Sequence, residues 1–173
     1  MKRLGLMAVL SLIIAAVAAL PALAVAPTSV TQTGGLHLCQ GTSLDLSATK
    51  TTGPNGSAFL TVTGEVCGAG TTATATLEAT ATATVGCINR GSKDQEPSGL
   101  QTVTEPVSGT TTFNTRSGRG RVNVSTSEVT IPSDFECPPP MTETLVSVTF
   151  TDITLTITSS SGSITATFPD IDP

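Results

Sequence analysis

The 173-residue sequence predicts one all-β domain, an antiparallel β-sandwich of Ig-like or Greek-key type with two disulfides. Three observations support this prediction. Apolar and polar residues alternate with a period of two along most of the chain, Gly- and Pro-containing turns separate the alternating segments, and four cysteines are present. Threonine, a β-branched residue that favours strands, occurs 33 times.

The segment 72–87 shows the alternation most clearly. Up to Val85 its odd positions are Ala, Leu or Val, whereas its even positions are Thr with a single Glu78, and Gly86 and Cys87 end the segment. A 3.6-residue helical period would scatter these residues around the axis, so the pattern predicts a half-buried strand. Because the run is long for one strand, we expect it either to bend or to pair with two neighbours in succession.

Shorter segments follow the same rule and predict the remaining strands. Pro106 places its segment at a sheet edge, because proline cannot donate to a ladder. The segments around Gly118 and Gly120 predict a hairpin, and a change of parity at Thr151–Asp152 predicts a bulge or a change of sheet. The segments are 36–38, 44–48, 58–66, 101–107, 109–113, 121–127, 146–150, 153–157 and 164–168.

The N-terminus has the three parts of a secretory signal. Lys2 and Arg3 precede an uncharged apolar run that Pro21 ends, and small residues then mark cleavage after Ala24 or Ala26. We therefore predict a signal peptide over 1–24, a flexible segment over 25–35, and a single β-sandwich domain over 36–173. The alternatives are a retained membrane helix, for which the apolar run is short, and a pilin-type segment cut near Gly5 that keeps the run as an assembly helix.

Charge and composition restrict the partners of the mature chain. Loss of Lys2 and Arg3 leaves 6 basic and 13 acidic side chains, which is a formal net charge of 6 − 13 = −7. This balance, with no Trp or Tyr, argues against nucleic-acid binding. No cysteine stands at the cleavage site and no apolar tail ends the sequence. We predict no membrane span in the mature chain, and a secreted or cell-surface location.

Four cysteines in a secreted domain indicate two disulfides, and side-chain parity helps to choose among the three possible connectivities. Cys39 and Cys67 both share the polar parity of their segments, whereas Cys87 shares the apolar parity of 79–85. Parity therefore predicts Cys39–Cys67 and Cys87–Cys137, unless a bulge reverses it. Zinc binding is the alternative, although the spacings are long and the sequence holds one histidine.

Two short motifs carry a resemblance to a known group of proteins. The run Val85–Gly91 reads Val-Gly-Cys-Ile-Asn-Arg-Gly, and Cys137–Pro138 precedes a Leu-Val-Ser-Val-Thr-Phe-Thr run. Over residues 58–158 this combination resembles small secreted Thr-rich β-sandwich proteins of unknown function from high-GC Gram-positive bacteria. The resemblance supports the Cys87–Cys137 pairing and implies no activity.

Catalytic machinery is poorly represented. A serine triad needs a base, for which His37 is the sole histidine, and no Gly-x-Ser-x-Gly elbow occurs. Asp134 and Glu136 could form a glycosidase carboxylate pair, but no Trp or Tyr would hold a sugar ring. We predict no catalytic residue, no enzyme activity and no cofactor. Calcium held by Asp152, Asp170 and Asp172 is an alternative that matches no known ligand spacing.

Two surface features remain as candidates for binding. Arg116, Arg119 and Arg121 form a basic cluster that could hold an anion, or simply keep a hairpin tip soluble. The even-numbered Thr of 72–84 would stand in a rank about 6.6–7 Å apart along their strand. Such a rank could order water as ice-binding surfaces do, could lie at an assembling edge, or could be an ordinary solvent-facing strand surface.

We therefore predict a secreted, disulfide-stabilised β-sandwich with a non-catalytic binding or structural role. Its expected partner is an unidentified protein or surface component. One alternative is a subunit of a surface fibre or coat built by β-strand addition, in which residues 26–35 act as a donated strand and assembly is homomeric. A further alternative is a secreted enzyme or inhibitor.

Overall fold

The computed structural model describes residues 24–39, 45–53, 56–89, 91 and 96–172. The predicted signal peptide, apart from Ala24, and the predicted strand start at 44 lie outside these residues. No α-helix occurs in the described ranges, and no helix there could span a membrane. The strands are β1 (Ala24–Val25), β2 (Ser29–Gly34), β3 (His37–Leu38), β4 (Ser47–Thr52), β5 (Ala58–Cys67), β6 (Thr72–Ile88), β7 (Ser98–Asn114), β8 (Arg119–Ser125), β9 (Thr142–Ser159) and β10 (Gly162–Thr167).

The strands form two antiparallel sheets, which confirms the predicted fold class. In sheet A, β5 pairs with β8 on one side and with β4 and β3 on the other, and β1 extends the sheet beyond β4. Sheet B has the order β2-β10-β9-β6-β7. The inward-facing residues of both sheets make one apolar core. The outer faces are polar, as the two-residue alternation requires.

The long alternating segment is β6, the central strand of sheet B. It pairs with β7 on one side and with β9 on the other along nearly its whole length. The alanines of β6 are buried, and β9 places larger side chains beside them: Phe150 opposite Ala81 and Ile157 opposite Ala75. The large residues of β9 therefore fill the volume that the small residues of β6 leave.

The parity change in β9 is a bulge, as predicted. Glu78 of β6 pairs with Thr154, whereas Thr80 pairs with Thr151, so β9 carries one more residue than β6 at this point. Asp152 adopts a left-handed backbone conformation with φ of 52°. The bulge joins the two predicted segments 146–150 and 153–157 into one strand and keeps Val148 and Phe150 on the same core side as the stripe of 153–157. Val146, which the pattern placed in the first stripe, is instead exposed, because a second register shift occurs between Leu145 and Ser147.

The predicted hairpin around Gly118 differs from the observed chain path. Arg116 and Arg119 exchange backbone hydrogen bonds of 2.8 and 3.1 Å across a tight turn. The strands before and after this turn nevertheless lie in different sheets, β7 in sheet B and β8 in sheet A. At Gly109, any Cβ would overlap the backbone oxygen of Ser125. The middle of β7 and the end of β8 therefore approach each other closely, although the two strands belong to different sheets.

Both predicted disulfides are present. Cys39–Cys67 ties the chain after β3 to the end of β5, and Cys87–Cys137 ties the end of β6 to the loop before β9. That loop covers the inner face of sheet B near Cys87. Its Phe135 is buried, and Val129 exchanges backbone hydrogen bonds with Ala58. The second disulfide therefore anchors a loop that completes the core.

The N-terminal segment is more ordered than the sequence predicted. Residues 29–34, which were expected to be part of a flexible lead-in, form β2 and pair with β10 at six successive positions. The two residues of β1 pair with Ala48 and Thr49 of β4. The predicted cleavage after Ala24 would therefore divide β1, and the predicted cleavage after Ala26 would remove it.

Candidate functional site

The outer face of sheet B presents rows of hydroxyl groups, and we call it the hydroxyl face. The antiparallel register places Thr or Ser at equivalent outward positions of neighbouring strands. One row crosses all five strands and consists of Thr33, Ser163, Thr158, Thr74 and Thr112. The next parallel row consists of Thr31, Thr165, Thr156, Thr76 and Thr110.

Past the bulge, the hydroxyl face continues over three strands. Its further rows are Thr149, Thr82 and Thr104, and then Ser147, Thr84 and Thr102. Glu78 and the exposed Asp152 introduce negative charge between the two regions. The hydroxyl face is therefore a broad polar array with its acids concentrated at the bulge.

Cross-strand hydrogen bonds link many of these hydroxyls. Oxygen–oxygen distances are 2.6 Å for Ser29–Thr167, 2.8 Å for Thr33–Ser163 and 3.1 Å for Thr74–Thr112. A hydroxyl has one donor and two acceptor sites, so a single such bond leaves capacity for an outside partner. Threonine χ1 is also restricted by its branched Cβ. The hydroxyl face can therefore offer partly ordered donors and acceptors to a ligand.

The three predicted anion-binding arginines lie together at the β7–β8 turn. Arg119 and Arg121 share the outward parity of β8, since Gly120 and Val122 between and beyond them are buried. The Nε of Arg119 lies 3.8 Å from Oε1 of Glu65, whose side chain is only 11% exposed, whereas that of Arg119 is 54% exposed. No other ion pair occurs in the described ranges. The cluster is therefore a local region of positive charge on an otherwise acidic protein.

The residues considered for catalysis are not brought together. His37 lies on β3, and its Nδ1 is 2.8 Å from the backbone oxygen of Gly35. Asp134 and Glu136 lie on the loop that Cys137 attaches to the far end of β6. His37 instead lies opposite Cys67 in the pairing of β3 with β5, and Cys67 shortly precedes the start of β6 in the chain. At about 3.4 Å per residue, the length of β6 separates the two locations.

The acids considered for calcium lie on two neighbouring segments, the β9 bulge and the C-terminal segment that is hydrogen-bonded to β9. Asp152 is at the β9 bulge, where the Thr151 hydroxyl is 3.5 Å from its carboxylate. Asp170 and Asp172 belong to the C-terminal segment, which Ile171 fixes to Phe150 by two backbone hydrogen bonds. Within the ranges that the structure describes, no group of three or more His, Cys, Asp or Glu side chains could hold a metal ion.

Lys50 makes a polar contact that the sequence pattern did not indicate. It occupies an inward position of β4, and its Nζ donates a 2.6 Å hydrogen bond to the backbone oxygen of Val148. Burial lowers the pKa of Lys50 below its ordinary value, and the nearby carboxylate of Asp172 partly opposes this. Lys50 therefore connects β4 of sheet A to β9 of sheet B.

The fold and these surfaces define a class: an all-β, disulfide-bonded sandwich with a broad hydroxyl face and a basic corner. The chain matches no family model, no curated protein and no solved structure.

Proposed function

We propose that the protein is exported and has a non-catalytic binding or structural role at the cell surface or in the medium, with the hydroxyl face as its binding surface. The observation that carries this proposal is the alignment of Thr and Ser in two rows that cross all five strands of sheet B. The two disulfides are consistent with an oxidising, extracellular compartment.

The geometry of the hydroxyl face suggests the kind of partner. Its hydroxyls repeat about every 4.8 Å across the strands and about every 6.6–7 Å along them. Each hydrogen bond contributes little by itself, because it replaces a bond to water. An extended surface component with repeating hydrogen-bonding groups would engage many hydroxyls at once, so its affinity would come from their number.

Removing three central hydroxyls should weaken binding to the native cell envelope. The triple variant Thr74→Val/Thr76→Val/Thr156→Val keeps side-chain shape but loses three donors. At roughly 1 kcal/mol for each hydrogen bond, we expect at least a tenfold loss of affinity. The measurement is a binding isotherm of the purified mature protein on isolated envelopes, with circular dichroism to verify folding.

The matched control makes the same three changes on the opposite face. Thr49, Thr61 and Thr63 lie at outward positions of sheet A. The variant Thr49→Val/Thr61→Val/Thr63→Val should bind envelopes with an affinity within about twofold of the wild type, because these hydroxyls lie outside the proposed surface. Equal losses in both variants, or no binding by the wild type, would contradict the proposed role of the hydroxyl face.

The arginine cluster supports a second, electrostatic contact with the same partner. We propose that Arg116, Arg119 and Arg121 bind its anionic groups. The variant Arg119→Gln/Arg121→Gln should elute from immobilised polyphosphate at a lower salt concentration and with a shallower salt dependence, because it forms fewer ionic contacts. The variant Arg90→Gln/Lys93→Gln removes the same charge at other positions of the sequence and serves as the control. Identical elution of the two variants would argue against a local site.

Assembly by β-strand addition is the second candidate function, and the edges of sheet B favour it. On β7, Glu105 is exposed at an inward position and Pro106 cannot donate a hydrogen bond, and both features discourage edge pairing. The opposite edge strand, β2, contains neither a charged residue nor a proline. β2 is therefore the edge strand of sheet B that is best suited to contact another copy.

A further inference from the structure

β2 is an edge strand at the beginning of the described chain. Its six residues pair in register with β10, from Ser29 opposite Thr167 to Gly34 opposite Gly162. Within the described ranges, no strand pairs with its other side. The docked arrangement of β2 on β10 therefore shows directly how an extended segment of this sequence fits that edge.

Few apolar side-chain contacts hold β2 in place, and the bonds of its Ser29 and Thr33 hydroxyls to β10 lie on the outer face and would form again in an exchanged pair. Of its two inward side chains, Val30 is only half-buried, and Gln32 is exposed and accepts a 3.2 Å hydrogen bond from the Leu38 amide. By contrast, Ile164 and Ala166 of β10 are completely buried. Release of β2 would therefore expose little apolar surface and would leave β10 anchored in the core.

The connection after β2 contains two glycines. Gly34 has a φ of 71°, a left-handed conformation that glycine adopts at low cost, and Gly35 follows it. Leu36, the next residue, is 1% exposed and anchors the chain in the core. Rotation about the glycine backbone can thus redirect β2 without moving Leu36.

We propose that β2 exchanges between copies, so that β2 of one chain pairs with β10 of a second chain in the register seen within the single chain. This inference deepens the strand-addition function proposed above and rests on it. The exchanged state would form the same six residue pairs, so its contacts would be equivalent to those within one chain. Neither β2 nor β10 carries a charged residue, which limits repulsion between the acidic subunits at this seam.

The exchange also determines the form of the assembly. Every copy has both a donor, β2, and an acceptor edge on β10, and the two are different surfaces. Mutual exchange would close a two-fold dimer, whereas donation to a third copy would continue into a linear polymer. A linear polymer would align the hydroxyl faces of successive copies on a fibre.

Cysteine cross-linking of mixed single variants tests the exchange directly. Thr31 and Thr165 are opposite each other on β2 and β10, with the Cα separation of about 4.5–5.5 Å that paired strands have and disulfides accept. Mature Thr31→Cys and mature Thr165→Cys, one of them tagged, are mixed at high concentration and oxidised. We expect a reducible heterodimer whose linked peptides, identified by mass spectrometry, join positions 31 and 165.

The control mixture uses Thr156→Cys with Thr165→Cys. These residues are also directly opposite, but on β9 and β10, which a short turn holds within one chain. Random collision would cross-link both mixtures equally, whereas strand exchange would cross-link the first at least several times more. No heterodimer in the first mixture, or equal yields in the two, would overturn the proposal.

A double variant separates this inference from the proposed binding function. Val30 and Ala166 are opposite each other at inward positions of β2 and β10, so a disulfide between them leaves the hydroxyl face intact. Oxidised Val30→Cys/Ala166→Cys within one chain locks β2 onto its own β10, and it should remain a monomer in size-exclusion chromatography at concentrations where the wild type assembles. Equal assembly of the locked protein and the wild type would exclude strand exchange as its cause. Binding of the locked monomer to envelopes would show that the hydroxyl face acts without assembly.

Discussion

Replacing Cys87 and Cys137 together by alanine should lower the free energy of unfolding by roughly 4 kcal/mol. The disulfide spans 50 residues, and the chain-entropy estimate for a loop of this length gives about that value. The loss also frees the loop before β9, which buries Phe135 against the core. Chemical denaturation of the mature variant and wild type, monitored by far-ultraviolet circular dichroism, measures the difference.

The other disulfide provides the control. Cys39–Cys67 spans 28 residues, so Cys39→Ala/Cys67→Ala should cost roughly 3.5 kcal/mol by the same estimate. The two variants should have similar free energies of unfolding, but different parts of the chain should become accessible to protease. Limited proteolysis within 131–140 should increase in the Cys87/Cys137 variant and much less in the Cys39/Cys67 variant. Equal cleavage there would contradict the assignment of Cys87–Cys137 as the anchor of this loop.

Local alternation made the elements of this fold predictable. In β6, the parity of Ala and Thr predicted both the strand and its buried side, and the same parity predicted which cysteines pair. The bulge at Thr151–Asp152 was visible because one extra residue must exchange the faces of all later side chains. Each of these features is determined by residues close together in the sequence.

The partners of each strand were not predictable in the same way. Many strands present the same Thr-rich face, so side-chain chemistry alone does not distinguish one neighbour from another. The five-strand rows of the hydroxyl face depend on the pairing of β2 with β10 and of β6 with β9, which are far apart in sequence. The change of sheet after β7 likewise depends on the close contact of Gly109 with Ser125, a long-range feature.

The flexible segment expected over 25–35 illustrates a third limit. Its residues are polar and mostly exposed even in β2, so their composition resembles that of a linker. Backbone pairing with β10, rather than side-chain burial, gives the segment its order. Sequence patterns detect burial more readily than backbone pairing, and the same weak burial is what allows exchange of β2 between copies.

Phe150→Ala should destabilise the protein by about 3–5 kcal/mol, the usual cost of removing a fully buried Phe side chain. Phe150 is completely buried on β9 opposite Ala81, and its backbone is bonded on the other side to Ile171. The small alanines of β6 cannot fill the cavity, and the bonded backbone cannot easily move into it. Equilibrium denaturation gives the change in unfolding free energy.

Phe59→Ala is the matched control, because Phe59 is the same residue type at an outward, half-buried position of β5. Its loss should cost less than about 1.5 kcal/mol, since only part of the removed surface was hidden from water. A small-to-large rescue sharpens the test further. If Ala81→Val in the Phe150→Ala background recovers part of the lost stability, the cost arose from the cavity between β6 and β9. Similar losses of stability in Phe150→Ala and Phe59→Ala would instead contradict the conclusion that the large residues of β9 fill the core beside β6.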